Sequence, residues 1–210
     1  MQVHAHAQLL RPVADPGIEE LAARNVIAWA NRMLEAKDPY TRGHCARVAE
    51  YSERLARAAG VQGRALFWLR IGAFLHDIGK IAVPVQVLRK PDRLNAQEWE
   101  LIRRHTVLGT TIIERLQLPY DVRPIVRGHH ERWDGRGYPD GLRGERIPLA
   151  ARIVAVADVY DAVTSARCYS SPTPDAEARS VLDVHAGRSL DPRLVELFVD
   201  EVLAGARRAA

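Results

Sequence analysis

Apolar residues recur at three- and four-residue steps along most of this chain, whereas the alternation typical of half-buried strands is almost absent. This periodicity predicts amphipathic helices, and no hairpin signal interrupts it. Helices are predicted over 18–37, 47–59, 63–75, 95–117 and 149–164, with a short one before His129 and a last one from Asp191-Pro192 through Phe198. We therefore expect a single all-α domain with a buried core.

Local signals mark the start of two of these helices. Asn95 and Glu98 have the spacing of a capping box, and Asp191 with Pro192 has the pattern of an N-cap followed by proline at the first helical position. Trp29 and Met33 belong to the apolar positions of the first helix. In the 95–117 helix, the residues expected to face the core are Trp99, Ile102, Leu108, Ile112 and Leu116.

The composition is that of a folded protein. Of 210 residues 47% are hydrophobic, and the net charge of +4 excludes disorder as the dominant state. No apolar run approaches the ~18 residues of a membrane span, and the arginines are interspersed with acids, which argues against a DNA or RNA polymer as partner.

Residues 1–17 have no order signals and no signal-peptide core, so we expect a frayed N-terminus before a domain over 18–210. The two cysteines form no CxxC pair, which favours a cytoplasmic location.

The segment 131–148 breaks the helical pattern. Its four glycines and two prolines in 18 residues predict a long loop, and loops of this length in a compact domain are usually functional. Gly135, Gly137 and Pro139 would fix an irregular backbone beside His129-His130. The loop is therefore expected to shape one wall of any site that these histidines form.

Seven histidine and aspartate side chains are predicted at or beside apolar helix faces, where an unpaired polar group is costly. Imidazole and carboxylate ligands together suit iron, manganese or zinc. Seven ligands exceed one coordination shell that must also leave a position for water or substrate, so two ions are the economical interpretation. The seven are His44, His76, Asp77, His105, His129, His130 and Asp158.

A pair of divalent ions indicates phosphoryl chemistry, because two ions about 3.5–4 Å apart clamp a phosphoryl group and activate water. Lys80, one turn beyond His76-Asp77, would neutralise a phosphate oxygen or protonate the leaving group. We therefore expect Asp77 and Lys80 to belong to the catalytic machinery.

Four blocks of sequence carry a resemblance to a known family. HDIGK, beginning at His76, resembles the signature of the HD phosphohydrolase superfamily, and HHERWDGRGYP, beginning at His129, is similar to the second signature of the HD-GYP subfamily. DPYTRGH over 38–44 and ADVYDA over 157–162 also match that family's pattern. HD alone is a weak signal, but the four blocks in this order are specific, and the resemblance spans about 38–198.

The resemblance implies an HD-type helical bundle with a long GYP loop and a two-metal centre. The metal is usually iron or manganese, with zinc, nickel and cobalt as further candidates. Some members bind a third ion through a glutamate at the position of Tyr40 here, so we expect two ions. By position, one ion is held by His44, His76, Asp77 and Asp158, and Asp77 bridges to a second ion held by His105, His129 and His130.

The resemblance also implies hydrolysis of the bacterial second messenger cyclic di-GMP to the linear dinucleotide, and to GMP after a second cleavage. Arg167 matches a family position that would bind a substrate phosphate together with Lys80. Ser170 replaces a basic residue that the family often has, which leaves another cyclic dinucleotide or nucleotide open as substrate. Cys168, between them, is expected to be inert.

A third alternative is a signalling module that turns over slowly or not at all. In the family the loop, here Gly135, Gly137, Tyr138 and Pro139, also docks to diguanylate cyclases. The helix over 18–37 is then a candidate transmitting or dimerising element, and the input would come from a sensory protein or from another part of a longer chain.

Overall fold

The structure is a computed structural model that describes residues 20–37, 41, 43–165 and 175–203, and these ranges are built of helices. No named strand occurs in the described part of the chain, where an isolated bridge pairs Ala186 with Leu190. The prediction of an all-α fold is confirmed. The helices are α1 Glu20–Lys37, α2 His44–Ala58, α3 Gly63–Phe74, α4 Val85–Leu88, α5 Ala96–Arg103, α6 His105–Leu116, α7 Arg123–Gly128, α8 Leu149–Thr164, α9 Asp175–His185 and α10 Pro192–Leu197, with 3₁₀ turns at Ile78–Ala82 and Gly144–Arg146 and a π-helical turn at Phe198–Leu203.

Sequence signals locate some helix ends well. Helix α8 has the predicted bounds, and the capping box of α5 is present, with Asn95 Oδ1 accepting from the Glu98 amide and the Glu98 carboxylate accepting from the Asn95 amide. The single helix predicted over 95–117 is wrong, because the chain forms α5 and α6 on either side of Arg104. Arg104 itself has helical dihedral angles, φ −61° and ψ −16°, so apolar periodicity does not reveal the break.

The described residues form a core of two apolar clusters. The first joins α2, α3, α8, α9 and α10 around side chains such as Leu55, Val154 and Phe198. The second joins α1, α3, α6 and α7 and includes Leu75 and Ile78. These two buried residues flank His76-Asp77 in sequence, so the dipeptide is held between anchored neighbours.

Several large apolar side chains predicted for the core lie at the surface instead. Trp99 and Leu108 are 48% and 36% exposed, and Trp29 and Met33 of α1 are also exposed. Helix α1 packs through Ala23, Ala30 and Leu34, a stripe next to the predicted one. The periodicity identifies an apolar face correctly but does not say whether a neighbouring helix covers it. None of the described helices is both long and apolar enough to span a membrane.

Gly79 allows the 3₁₀ turn after Asp77 to pack directly on the start of α6. A Cβ atom at this position would lie 1.9 Å from the His105 carbonyl oxygen and 2.6 Å from the Gly109 amide nitrogen. Both contacts are with backbone, which cannot rotate away as a side chain can. The close approach therefore requires glycine, and it brings His105 next to Asp77.

We expect Gly79→Ala to lower the free energy of unfolding by about 3 kcal/mol, because the added methyl group forces two backbone segments apart. Gly60→Ala is the control, since Gly60 has a φ of 86° and open space around the missing Cβ. Strain alone should cost that variant about 1 kcal/mol. Urea unfolding of both variants measures the difference, and an equal loss in the two would contradict the role given to Gly79.

Candidate metal centre

The predicted ligands come from five separate segments that meet at one point. His44 is the first residue of α2, and His76-Asp77 follow α3. His105 is the first residue of α6, rather than lying in the middle of a helix as the sequence suggests. The remaining ligands are His129 and His130, which follow α7, and Asp158, which lies in α8.

Asp77 is the centre of this arrangement, with each carboxylate oxygen facing a different set of imidazoles. Its Oδ1 lies 3.4 Å from Nε2 of His105 and 3.9 Å from Nε2 of His129. Its Oδ2 lies 3.4 Å from Nε2 of His76 and 3.9 Å from Nε2 of His44. One carboxylate therefore faces two pockets of nitrogen ligands.

The potential ligand atoms form two groups that share Asp77, and within each group they lie within 4.8 Å of one another. The first group is His44, His76 and Asp77, and the second is Asp77, His105, His129 and His130. Asp158 lies beside the first group, with its Oδ1 3.4 Å from His44 Nε2, and its side chain is 20% exposed. The structure thus brings all seven predicted residues together, with Asp158 at the more open edge.

Hydrogen bonds at Nδ1 orient three of the histidines. Nδ1 of His76 is 2.7 Å from the Ala73 carbonyl oxygen, and Nδ1 of His105 is 2.6 Å from that of Ile102. Nδ1 of His129 is likewise 3.0 Å from the Val126 carbonyl oxygen. A ring that donates from Nδ1 leaves Nε2 unprotonated and free to bind a metal ion.

His44 is oriented by a carboxylate instead. Asp161 Oδ2 accepts from His44 Nδ1 at 2.7 Å, and Arg47 Nε donates to Asp161 Oδ1 at 2.5 Å. Burial alone would raise the pKa of Asp161, but the hydrogen bonds from His44 and Arg47 lower it to about 2. This role was not predicted from the sequence, although Asp161 lies within a matched block and follows Asp158 by three residues, a spacing that places both on one helix face.

The charges in the site suit a bound cation. Burial alone would raise the pKa of Asp77, but Lys80 and His76 lower it well below its usual range. Burial also lowers the pKa of His129 and lowers that of His130 to about 4. An ionised carboxylate and neutral imidazoles are the protonation states in which such side chains bind metals, and Asp77, His129 and His130 are in these states. His76 differs, because Asp77 raises its pKa although burial alone would lower it, so a metal ion at this imidazole has to displace a proton.

One buried polar atom provides a test of whether metal ions fit. Asp77 Oδ1 is buried and has no hydrogen-bond partner among the described residues. A buried carboxylate oxygen in this state costs free energy, and a divalent cation between it and the neighbouring imidazoles removes that cost. The residues present therefore fit two divalent ions that share Asp77.

Lys80 lies against the same carboxylate. Its Nζ is 2.6 Å from Asp77 Oδ2, and its side chain is 23% exposed. Burial alone would lower the pKa of Lys80, but Asp77 raises it. The ammonium group is therefore charged, and the partly exposed side chain lies at the edge of the centre.

The loop predicted at 131–148 packs against the second group of ligands. Glu131 is buried and was not among the predicted site residues. Its carboxylate accepts from the backbone amides of Asp140 and Leu142 at 2.6 and 2.9 Å. Gly137 lies so close to the Glu131–Arg132 backbone that a Cβ would be 2.3 Å from the Arg132 nitrogen. In this loop conformation, the centroid of the Tyr138 ring lies 4.9 Å from the centroid of the His130 ring.

Some predicted residues lie outside the described part of the chain. These are Tyr40, at the position of a third-ion ligand, and the segment that contains Arg167, Cys168 and Ser170. The predicted frayed terminus, residues 1–17, also lies outside it.

The role of Asp161 leads to a prediction about metal affinity. Asp161→Ala removes the hydrogen bond that orients His44, so we expect one of two bound ions to be held about 10–100-fold more weakly. Asp183→Ala, which removes an exposed carboxylate on α9, serves as the control. Titration of Mn²⁺ against a chelator of known affinity measures both variants. Unchanged affinity in Asp161→Ala would contradict the role of this residue.

Comparison with known proteins places these residues in a family context. The 3′3′-cGAMP-specific phosphodiesterase 2 of Vibrio cholerae is 40% identical over 169 residues, which are 80% of this chain and 32% of the relative. A cyclic di-GMP phosphodiesterase of Thermotoga maritima is 39% identical over 179 residues, which are 83% of this chain and 48% of the relative. The chain thus spans less than half the length of these two relatives.

A solved structure has the same fold. The crystal structure of a cyclic GMP-AMP specific phosphodiesterase of V. cholerae matches with a TM-score of 0.68 and 20% identity, over 89% of this chain and 49% of that one. The family model described as HD domain matches residues 29–194. These matches confirm the resemblance predicted from the four sequence blocks, and the chain belongs to the HD domain family.

Proposed function

We propose that this chain is a metal-dependent phosphodiesterase that hydrolyses cyclic di-GMP to the linear dinucleotide, with GMP as the product of a second cleavage. The observation that carries the proposal is the pair of ligand groups that share the buried Asp77 carboxylate. Two adjacent divalent ions would supply activation of water and stabilisation of the attacking and leaving oxygens of a phosphoryl group. The names of the relatives, which are cyclic dinucleotide phosphodiesterases, support this choice of substrate class.

We assign the ligands of the two ions as follows. His44, His76, Asp77 and Asp158 would hold the first ion, and Asp77 with His105, His129 and His130 would hold the second. The first set has two imidazoles and two carboxylates, and the second has three imidazoles and one carboxylate. This mixture of borderline and hard ligands suits iron or manganese. Asp158 and His130 are partly exposed, whereas the other five ligands are buried, so substrate would approach from the side of these two.

The ion pair of Lys80 with Asp77 favours one of the two roles predicted for this residue. Its raised pKa makes it a poor proton donor, whereas a permanent positive charge beside the metal centre attracts a phosphate oxygen. We therefore propose that Lys80 neutralises phosphoryl charge and keeps Asp77 ionised. Arg167 remains a proposed phosphate ligand.

Tyr138 is proposed to form a wall of the site. Its ring packs against the His130 imidazole, and its backbone amide donates to the His130 carbonyl oxygen at 3.2 Å. A side chain used in this way is less available to a docked protein, which favours the catalytic proposal over a docking module. Docking of a diguanylate cyclase or sensory protein to the rest of the loop stays an additional proposal.

We propose two further properties, the location of the protein and the role of α1. The two cysteines without a disulfide framework favour the cytoplasm. The exposed Trp29 and Met33 make α1 a candidate element for a homodimer or for contact with a sensory domain. Neither property is needed for the proposed chemistry.

The proposal predicts turnover of cyclic di-GMP by protein purified without oxygen and loaded with iron or manganese. Chromatography should detect the linear dinucleotide as product. Asp77→Asn should abolish turnover because it removes the charge that both ligand groups share, whereas Glu100→Gln, at an exposed position on α5, should leave it unchanged. A metal-loaded protein that cleaves no cyclic dinucleotide would contradict the proposal.

The second candidate substrate is 3′3′-cGAMP, which is favoured by the name of the V. cholerae relative and by Ser170. The same assay with both dinucleotides separates the two. A higher kcat/KM for cyclic di-GMP supports the main proposal, and a higher value for 3′3′-cGAMP would replace its substrate.

A further inference from the structure

Arg103, the last residue of α5, lies at the edge of the metal centre. Its guanidinium carbon is 5.5 Å from the centroid of the Tyr138 ring, and that ring is 4.9 Å from the ring of His130. The guanidinium group is therefore separated from a proposed metal ligand by one aromatic side chain. Stacking of this kind holds an arginine side chain in a defined direction.

The backbone around Arg103 is fixed to the same site. The carbonyl oxygen of Arg103 accepts from Thr106 Oγ at 3.1 Å, and that of the preceding residue, Ile102, accepts from Nδ1 of His105. Arg103 is thus tied through one short segment to the ligand His105. Its position relative to the metal centre is set by the fold and not by a long flexible loop.

The charge of Arg103 is not neutralised by a carboxylate within the part of the chain that the structure describes. The other cations near the centre differ in this respect: Lys80 is paired with Asp77, and Arg47 is paired with Asp161. In the loop, Arg132 is paired with Asp134 at 2.7 Å. Arg103 is exposed, so its hydrogen-bond donors are available to a ligand.

An anion is the ligand that such a group binds best. The planar guanidinium group presents paired donors that match two oxygens of a phosphate. A cyclic dinucleotide has two phosphates on opposite sides of its ring, and only one of them can lie at the metal centre for cleavage. The other phosphate needs a cation at some distance from the ions, on the wall of the site.

We propose that Arg103 binds the phosphate of the cyclic dinucleotide that is not being cleaved. This inference rests on the proposed function and adds a substrate-binding residue from α5, outside the four sequence blocks. Because the contact is made equally in the bound substrate and in the transition state, it affects KM rather than kcat.

Arg103→Ala tests the inference, and Arg104→Ala is the matched control. Arg104 is the adjacent residue and is also exposed, but its Nε lies 3.8 Å from Glu100 Oε1 rather than near the Tyr138 ring. We expect Arg103→Ala to raise the KM for cyclic di-GMP about 10–100-fold, the effect of losing a charged hydrogen bond. Its kcat and metal content should stay the same, and Arg103→Lys should recover part of the loss. Arg104→Ala should change the KM by less than about twofold.

A substrate with one phosphate distinguishes binding of the second phosphate from a structural effect. Bis(4-nitrophenyl) phosphate has a single phosphodiester, so Arg103→Ala should cleave it as the wild type does. An unchanged KM for cyclic di-GMP would overturn the inference. An equal loss on both substrates would also overturn it, because Arg103 would then support the centre itself.

Calorimetric binding of cyclic di-GMP separates failure of the inference from failure of the proposed function. If the wild type binds the dinucleotide without cleaving it, the proposed function fails, and weaker binding by Arg103→Ala still supports the inference. If the wild type neither binds nor cleaves it, both are overturned.

Discussion

The buried carboxylate of Asp77 is the group around which the rest of the structure is arranged. Four imidazole nitrogens and the Lys80 ammonium surround it, and these groups come from α2, α6 and the segments that follow α3 and α7. An ionised carboxylate at 2% exposure is stable only if positive charge lies close to it. Lys80 supplies part of this charge on the side of Oδ2. The side of Oδ1 has no hydrogen-bond donor among the described residues, and there a divalent ion fits best.

Three ligands owe their orientation to the ends of helices. His76, His105 and His129 each follow the last turn of a helix, α3, α5 and α7 respectively. The carbonyl groups of a last turn have no intrahelical partner, so they accept from Nδ1 of the histidine three residues later. The same hydrogen bond satisfies the helix end and directs Nε2 towards Asp77. Histidines placed directly after helix ends therefore supply three ligands whose orientation is fixed by the helices themselves.

Periodicity and local signals predict a large part of the fold. The bounds of α8 and the capping box of α5 follow from residues close in sequence. The burial of Trp99 does not, because it depends on whether another helix covers that face. The break at Arg104 is also hidden from the sequence, since the dihedral angles of this residue are helical.

The candidate site, like the fold, is predicted by local sequence only in part. Seven ligands could be named because histidines and aspartates beside apolar residues are unusual in any helix. The hydrogen bond between His44 and Asp161 joins residues that are 117 positions apart, and no local pattern specifies it. Arg103 cannot be identified as a site residue from the sequence for a similar reason, because only the folded loop places the Tyr138 ring next to its guanidinium group.

The central claim is that Asp77 joins two metal sites, and anomalous diffraction from crystals of the metal-loaded protein tests it most directly. The account predicts two anomalous peaks, one beside His44 and His76 and the other beside His105, His129 and His130, with one oxygen of Asp77 bound to each ion or one oxygen shared. A single peak, or two peaks of which only one is bound by Asp77, would contradict it.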